Sequence, residues 1–357
     1  MTQEVGRRTF LSGCTGLAAT AGLGGGACAS VGEGLKVPVV PGVALDSSRE
    51  VTNVAFGSCC EQNRPAPIWD AIAAQRPDVF VFMGDNVYAN AEEERGLVDA
   101  YEMLAASKGY EKLREVTPVV ATWDDHDFGR DDAGAEYPLK EVSQRVMLDF
   151  FGEPADSPRR TQQGVYTSYS LGPPGRRLQI VLLDTRYFRS EVLPLPGRGS
   201  YRPNTDPDAT ILGAAQWAWL RQVLREPAQL RLLVSSIQLL SDDHPYERWG
   251  NFPRERERLL QLLRQTNDVV VVSGDRHRAE ISAMALGERT LVDVTSSSLN
   301  MPREGDEPNE HRVGGLLAIP NFGTLAIDWV AGRAQADVRD ERGIARMSYE
   351  VHFTPTT

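Results

Sequence analysis

Cysteine and lysine are scarce in this chain of 357 residues, and long apolar runs are missing. Of the 4 cysteines, Cys14 and Cys28 lie near the start, which leaves the adjacent pair Cys59-Cys60 for the body of the protein. Sequence neighbours close too small a ring for a relaxed bridge, so no disulfide framework is available. Cys59 or Cys60 therefore needs another use, and metal ligation is one. Lysine is limited to Lys36, Lys108, Lys112 and Lys140, so arginine carries nearly all the positive charge, a mark of genome bias. No segment approaches the ~20 apolar residues that a membrane span requires. A basic balance is also missing: 49 acidic residues against 38 Lys and Arg give a formal charge of -11, which argues against a general nucleic-acid binder. It leaves phosphate substrates open, because bound cations invert the field of a carboxylate-rich pocket.

The start of the chain has Gly6-Arg7-Arg8-Thr9-Phe10-Leu11 and then a weakly apolar, Ala- and Gly-rich stretch to about Cys28. This resembles a twin-arginine export signal over residues 1–30. The expected destination is periplasmic or extracellular, through the twin-arginine export machinery. Ala27-Cys28-Ala29 offers either a small-residue cleavage site or a lipid anchor at Cys28. Residues 31–50, with Pro, Gly and Ser and no period, are expected to form a linker, and 51–357 a single domain.

Within that domain, short apolar runs share a sequel. Val51–Phe56 leads to Gly57-Ser58-Cys59, Asp78–Met83 to Gly84-Asp85, and Thr117–Thr122 to Trp123-Asp124-Asp125-His126-Asp127. Leu178–Leu183 leads to Asp184-Thr185-Arg186, and Asp268–Ser273 to Gly274-Asp275-Arg276-His277. These are the runs of strands buried on both faces. Helical stretches at Ile68–Gln75, Leu97–Ser107, Glu141–Phe151, Gln216–Arg225 and Pro253–Gln265 alternate with them, which makes the fold α/β. Ligands gather outside the carboxyl ends of such strands. Later runs at Thr324–Val330, Ala334–Val338 and Met347–Phe353 follow a polar loop and are expected to close a second sheet.

Donor chemistry divides the strand-end residues. Cys59, Asp85, Tyr88 and His277 offer thiolate, carboxylate, phenolate and imidazole; three of these bind as anions, which suits Fe(III) better than Zn(II) or Mg(II). Asp85, Asp125, Asp131 and Asp275 offer only oxygen, which suits Ca(II) or Mg(II), with Mn(II) as a further option. Asp85 belongs to both sets because a carboxylate can bridge. Any one of these residues, taken alone, is an ordinary turn or core residue. Asp124 and Asp127 fit supporting roles in the turn, His244 and His311 fit loop positions, and His352 has no functional case.

The blocks Gly57-Ser58-Cys59, Gly84-Asp85-x-x-Tyr88, Trp123-Asp124-Asp125-His126-Asp127, Leu183-Asp184-Thr185-Arg186, Trp249-Gly250-x-x-Pro253 and Gly274-Asp275-x-His277 together resemble the alkaline phosphatase D (PhoD-like) branch of the calcineurin-like metallophosphoesterases. Thr295-Ser296-Ser297-Ser298 and Asn321-Phe322-Gly323 extend the likeness. The resemblance implies a four-layer αββα sandwich of two mixed sheets. It also implies a centre of one Fe(III), held by Cys59, Asp85, Tyr88 and His277, with calcium on the side of Asp85, Asp125 and Asp275. By the same resemblance, metal-activated hydroxide attacks a phosphate ester, His126 assists the leaving group, and Arg186 at a strand end forks onto phosphate oxygens. Many relatives have Asn where this chain has Asp131, and the chain has no room for the extra N-terminal β-domain of longer relatives. Trp249 and Asn251 are candidates to line the substrate pocket. Monoester and diester substrates both remain open, the latter including lipids if Trp249, Phe252 and Leu299 make an apolar rim. A non-catalytic calcium-binding envelope protein is the alternative of another class.

Overall fold

The computed structural model describes residues 34–355 apart from Arg198. The export motif, Cys14 and Cys28 lie outside the described residues. From Leu35 onward the chain forms one compact unit.

Among the described residues, two six-stranded sheets and one small ribbon make up the β-structure. The first third of the chain contributes β1 (Asn53–Gly57), β2 (Val79–Met83) and β3 (Val119–Thr122). Next come β4 (Thr167–Leu171), β5 (Leu178–Leu182), the ribbon strands β6 (Leu193–Pro194) and β7 (Tyr201–Arg202), β8 (Leu230–Ser235) and β9 (Val269–Ser273). The last third adds β10 (Ala279–Leu286), β11 (Arg289–Ser296), β12 (Asn321–Asp328), β13 (Arg333–Asp340) and β14 (Ala345–His352). One sheet runs β14-β13-β12-β1-β2-β3, the other β10-β11-β9-β8-β5-β4. Both are mixed: β1, β2 and β3 are parallel, as are β5, β8, β9 and β11, with antiparallel strands outside them.

The period of two in the strands builds four layers. In β1, Val54 and Phe56 enter the core between the sheets while Ala55 faces the helices. In β2, Val79, Val81 and Met83 take the inner face and Phe80 and Phe82 the outer. The outer face of the first sheet packs against α1 (Ile68–Ala74), α2 (Glu94–Ala105), α3 (Lys108–Val116) and α5 (Lys140–Phe150), with the one-turn α4 (Asp125–Phe128) between α3 and α5 in sequence. On the second sheet, Val181, Leu233 and Val271 face outward to α6 (Gly213–Val223) and α7 (Pro253–Arg264). Three separate apolar clusters thus glue four layers, αββα.

Two expectations need correction. The late strands do not close a second sheet; β12 pairs with β1, so all three extend the first sheet. The second sheet is completed by β4, β8, β10 and β11, which the sequence pattern does not single out. Nor is the described part of the linker loose: Val37 and Val40 are buried in the helix-side core, and the Val43 N–H donates to the Arg114 carbonyl at 2.9 Å.

Gly323 sits where β12 crosses the ring of Phe56, and a Cβ there would lie 2.0 Å from Phe56 Cε2. Because the ring is buried and cannot swing away, Gly323→Ala should cost about 1–3 kcal/mol. Urea unfolding checks this, and an unshifted midpoint would mean that the core yields at this crossing.

Candidate metal centre

The parallel strands of both sheets end at one place. Cys59 follows β1, Asp85 follows β2, Asp124 to His126 follow β3, and Asp275 and His277 follow β9. The chain turns sharply after each strand. Cys59, Asp85, Asp275 and His277 have φ of 57°, 49°, 68° and 56°, in the left-handed region that bulky residues avoid. Strained backbone of this kind persists only where the surroundings fix it, and it clusters at functional sites. Gly84 has φ 106°, and a Cβ there would meet Asp124 at 2.6 Å, so only glycine lets β2 end against β3.

The side chains converge. Cys59 Sγ lies 3.3 Å from Asp85 Oδ2 and 3.1 Å from Ser297 Oγ. The Tyr88 hydroxyl donates to Asp85 Oδ2 at 2.9 Å and stands 3.4 Å from His277 Nε2. His277 gives its Nδ1 proton to the Met301 carbonyl at 2.8 Å, which leaves the Nε2 lone pair directed into the cluster. Three overlapping groups have donor atoms within 4.8 Å of one another: Cys59, Asp85 and His277; Asp85, Asp125 and His126; Asp124, Asp125 and Asp275. Asp85 links the first pair of groups and Asp125 the second. Asp124 Oδ2 and Asp125 Oδ1 are buried with no hydrogen-bond partner among the described residues. Orphaned carboxylate oxygens at such a site are what a cation would satisfy, and the donor set fits one soft-and-hard position beside one of oxygen alone.

Electrostatics point the same way. Burial, joined by the charges of Asp125, Asp127 and Asp275, pushes the Asp85 carboxyl well above its ordinary range. Burial and Asp85 do the same to the Cys59 thiol and the Tyr88 phenol. Burial also pushes Asp275 up to about 6, Asp127 up to about 7 and Asp132 up to about 9. Asp125 is the exception: His126 and Arg186 outweigh its burial and hold it low. Burial and the Arg303 charge lower His277 to about 3, so the imidazole is neutral, as a ligand must be.

The other expected residues fall in several places. His126 lies at the mouth, with Nδ1 donating to Asn90 Oδ1 at 2.7 Å and Nε2 3.7 Å from Asp131 and 3.8 Å from Asp125. Asp131 is half-exposed there, outside the buried groups, whereas its neighbour Asp132 turns inward and accepts from the Tyr201 hydroxyl. Asp127 caps the turn, accepting from the Asp124 N–H at 2.7 Å and from Asn86.

Arg186 needs correction as a phosphate fork. It is 0% exposed and committed to Asp124 at 2.5 Å and Glu247 at 2.6 Å, so it cannot reach a substrate. Trp249 and Asn251 do not line the cleft either. The indole is buried in the α6–α7 core and donates to Ser235 Oγ at 2.9 Å, while Asn251 Oδ1 accepts from the Arg248 N–H at 2.8 Å. The cleft of about 220 Å³ is walled by the expected Asp125, His126, Asp131, Asp275 and His277 together with residues not singled out from the sequence, among them Asp132, Tyr246, Glu247, Arg276 and Arg303. Only Arg276 had a sequence signal, as the unassigned position inside Gly274-Asp275-x-His277.

Removing Arg186 leaves the buried Asp124 carboxylate without its cation and takes one of the two arginine partners of Glu247. Arg186→Gln should therefore cost about 3–5 kcal/mol of stability, read by thermal unfolding; a soluble variant of wild-type stability with weakened phosphate binding would restore the fork role. A second expectation concerns pH. A carboxyl with a raised folded pKa keeps its proton where the unfolded chain has lost it, so its share of stability falls as pH rises to that pKa. The buried neutral His244, lowered by burial to about 2, and His277 act in the opposite sense, removing stability as pH falls below 6.5. Below pH 6.5 the two effects oppose each other; above it the histidines no longer contribute, so metal-stripped protein should lose Tm between pH 6.5 and pH 9, as Asp127 and Asp132 ionise. Metal should suppress the alkaline loss, and a stripped protein equally stable at pH 6.5 and 9 would contradict this.

A family model for the PhoD-like phosphatase matches residues 54–318. Among solved structures, the fold is similar to that of PhoD, with a TM-score of 0.69 at 17% identity, over 89% of this chain and 73% of that one. It is also similar to GAP50, the anchor in the inner membrane complex of Plasmodium, with a TM-score of 0.57 at 12% identity over 86% and 90% of the two chains. At such identities the likeness speaks to the fold alone. No curated protein shows a significant sequence match. The family match, however, extends over well more than half of the sequence, and the chain belongs to the PhoD-like phosphatases, metal-dependent phosphoric ester hydrolases.

Proposed function

We propose that this chain is an exported phosphoesterase whose centre takes one Fe(III) and calcium and which prefers phosphate monoesters. The observation that carries the reading is the buried meeting of Cys59, Asp85, Tyr88 and His277, with Asp85 and Asp125 leading on to an oxygen-only group. A scaffold that bound calcium alone would have no use for a thiol and a phenol, which weighs against a non-catalytic anchor of this fold. Bound there, the two kinds of cation would acidify a water and neutralise charge on the phosphoryl oxygens. Cys59, Asp85, Tyr88 and His277 would hold the iron, and Asp85, Asp125 and Asp275 the calcium.

The protein's own groups would do the rest. Asn90 orients the His126 ring through Nδ1 and turns Nε2 to the cleft, where it would deliver a proton to the departing ester oxygen. The Tyr88 ring, 4.3 Å from the His126 ring, limits the imidazole's movement. The rim supports small polar esters over lipids, since Trp249, Phe252 and Leu299 are all buried and Asp131, Arg276 and Arg303 stand at the cleft instead. The Arg7-Arg8 pair supports export by the twin-arginine route to a periplasmic or extracellular site, with Cys28 available for a lipid anchor.

Elemental analysis and visible absorption of natively exported protein test the centre. About one iron per chain with calcium is expected, and a charge-transfer band should vanish in Tyr88→Phe or Cys59→Ser. Asp85→Ala and His277→Ala should lose metal and activity together; zinc, manganese or magnesium without a band would refute the iron assignment. His126→Ala should keep its metal yet lose about 10²- to 10⁴-fold in kcat, and aryl monoesters should be hydrolysed faster than aryl diesters.

A further inference from the structure

A phosphate ester approaches this site through a wall of like charge. Asp125, Asp131, Asp132, Glu247 and Asp275 all line the cleft. Among the described residues, two arginines line it as well, Arg276 and Arg303, and they are committed very differently. Arg276 is buried, its Nη2 is 2.5 Å from Glu307 and its Nη1 3.7 Å from Asp275. Its guanidinium also lies 4.3 Å from the centre of the Tyr246 ring. That charge is spent within the protein, as are those of Arg186 and Arg189, which both pair with Glu247.

Arg303 has no such partner. It is exposed, and among the described residues its guanidinium makes no hydrogen bond and no ion pair. Its backbone, by contrast, is fixed. The Arg303 N–H donates to the His277 carbonyl at 2.9 Å, and His277 Nδ1–H donates to the Met301 carbonyl at 2.8 Å. Two hydrogen bonds therefore stitch residues 301–303 to the turn that presents His277. The Cα of Arg303 is held beside a metal-ligand candidate while its charge is left unneutralised at the edge of an acidic cleft.

From this we infer that Arg303 is a substrate-binding residue whose guanidinium takes non-bridging oxygens of the phosphoryl group. This is the place that sequence position had suggested for Arg186. The inference rests on the phosphoesterase reading above. A guanidinium matches the spacing of two such oxygens with paired N–H donors, and anchoring its backbone limits the entropy lost on binding. Its position also gives an incoming anion an attractive charge among the acidic side chains that line the entrance.

The test uses the metal-loaded enzyme and its Arg303→Gln and Arg303→Lys variants. Three quantities are measured: KM for an aryl phosphate monoester, Ki for inorganic phosphate, and phosphate binding by calorimetry. Arg303→Gln should weaken all three by about ten- to a hundredfold, as loss of charge-assisted hydrogen bonds does. Arg303→Lys should recover part of this, since it keeps the charge and loses the fork. Metal content and Tm should stay at wild-type values, because among the described residues the side chain makes no hydrogen bond and no ion pair. Wild-type KM and Ki in Arg303→Gln overturn the inference, and so does a weakening that comes with lost metal, which would show an effect through the His277 turn. A wild-type holoenzyme that neither hydrolyses esters nor binds phosphate would instead overturn the phosphoesterase reading itself.

Discussion

The buried guanidinium of Arg186 holds together the place where the two sheets meet. It follows β5 of one sheet and reaches Asp124, which follows β3 of the other, and its second hand grips Glu247 on the loop that walls the cleft. Neutral bonds close the same seam: Thr122 Oγ1 donates to the Leu183 carbonyl at 2.7 Å, and Trp123 Nε1 donates to Asp184 Oδ1 at 2.8 Å. Several buried carboxylates are thereby gathered around Arg186, with Arg189 and Arg276 paired beside it. That arrangement leaves negative charge over, and the excess is the origin of the metal-binding character of the site.

The same imbalance explains why the backbone is strained where it is. Four donor candidates occupy left-handed turns, each costing of order 1–3 kcal/mol. The three apolar cores that bind the layers are independent of those turns and can carry that cost. Fold and site are thus divided in labour. Alternating strand residues build the apolar cores, and the polar residues just past the strand ends lie outside those clusters and are available for chemistry.

Much of this was legible in the sequence, for identifiable reasons. Strands buried on both faces leave continuous apolar runs, and those ending in Cys, Asp or His stand out, so β1, β2, β3, β5 and β9 were found along with the residues that follow them. β8 was passed over because Arg231 interrupts the apolar run Leu230–Val234 and its end, Ser235-Ser236, carries no distinctive ligand. β10 and β4 have mixed composition and give no clear period. The three late strands were recognised as strands, but their sheet was not, since pairing with β1 is a contact across more than 260 positions that local pattern cannot encode.

Sequence by itself determined the donors, their order and the layering, because ligand type and strand period are properties of neighbours along the chain. Tertiary structure decided which charges are spent. Arg186 at a strand end and Arg303 in a polar loop look alike as free cations, and only packing shows that Asp124 and Glu247 consume the first while the second has no partner among the described residues. It likewise turned Asp132 inward and left Asp131 at the rim, a choice set by the left-handed turn at Asp132, φ 54°, and the hydrogen bond of its N–H to Asp125. Charge balance and side-chain direction at this site come from contacts between distant segments, and those exist only once the two sheets have closed.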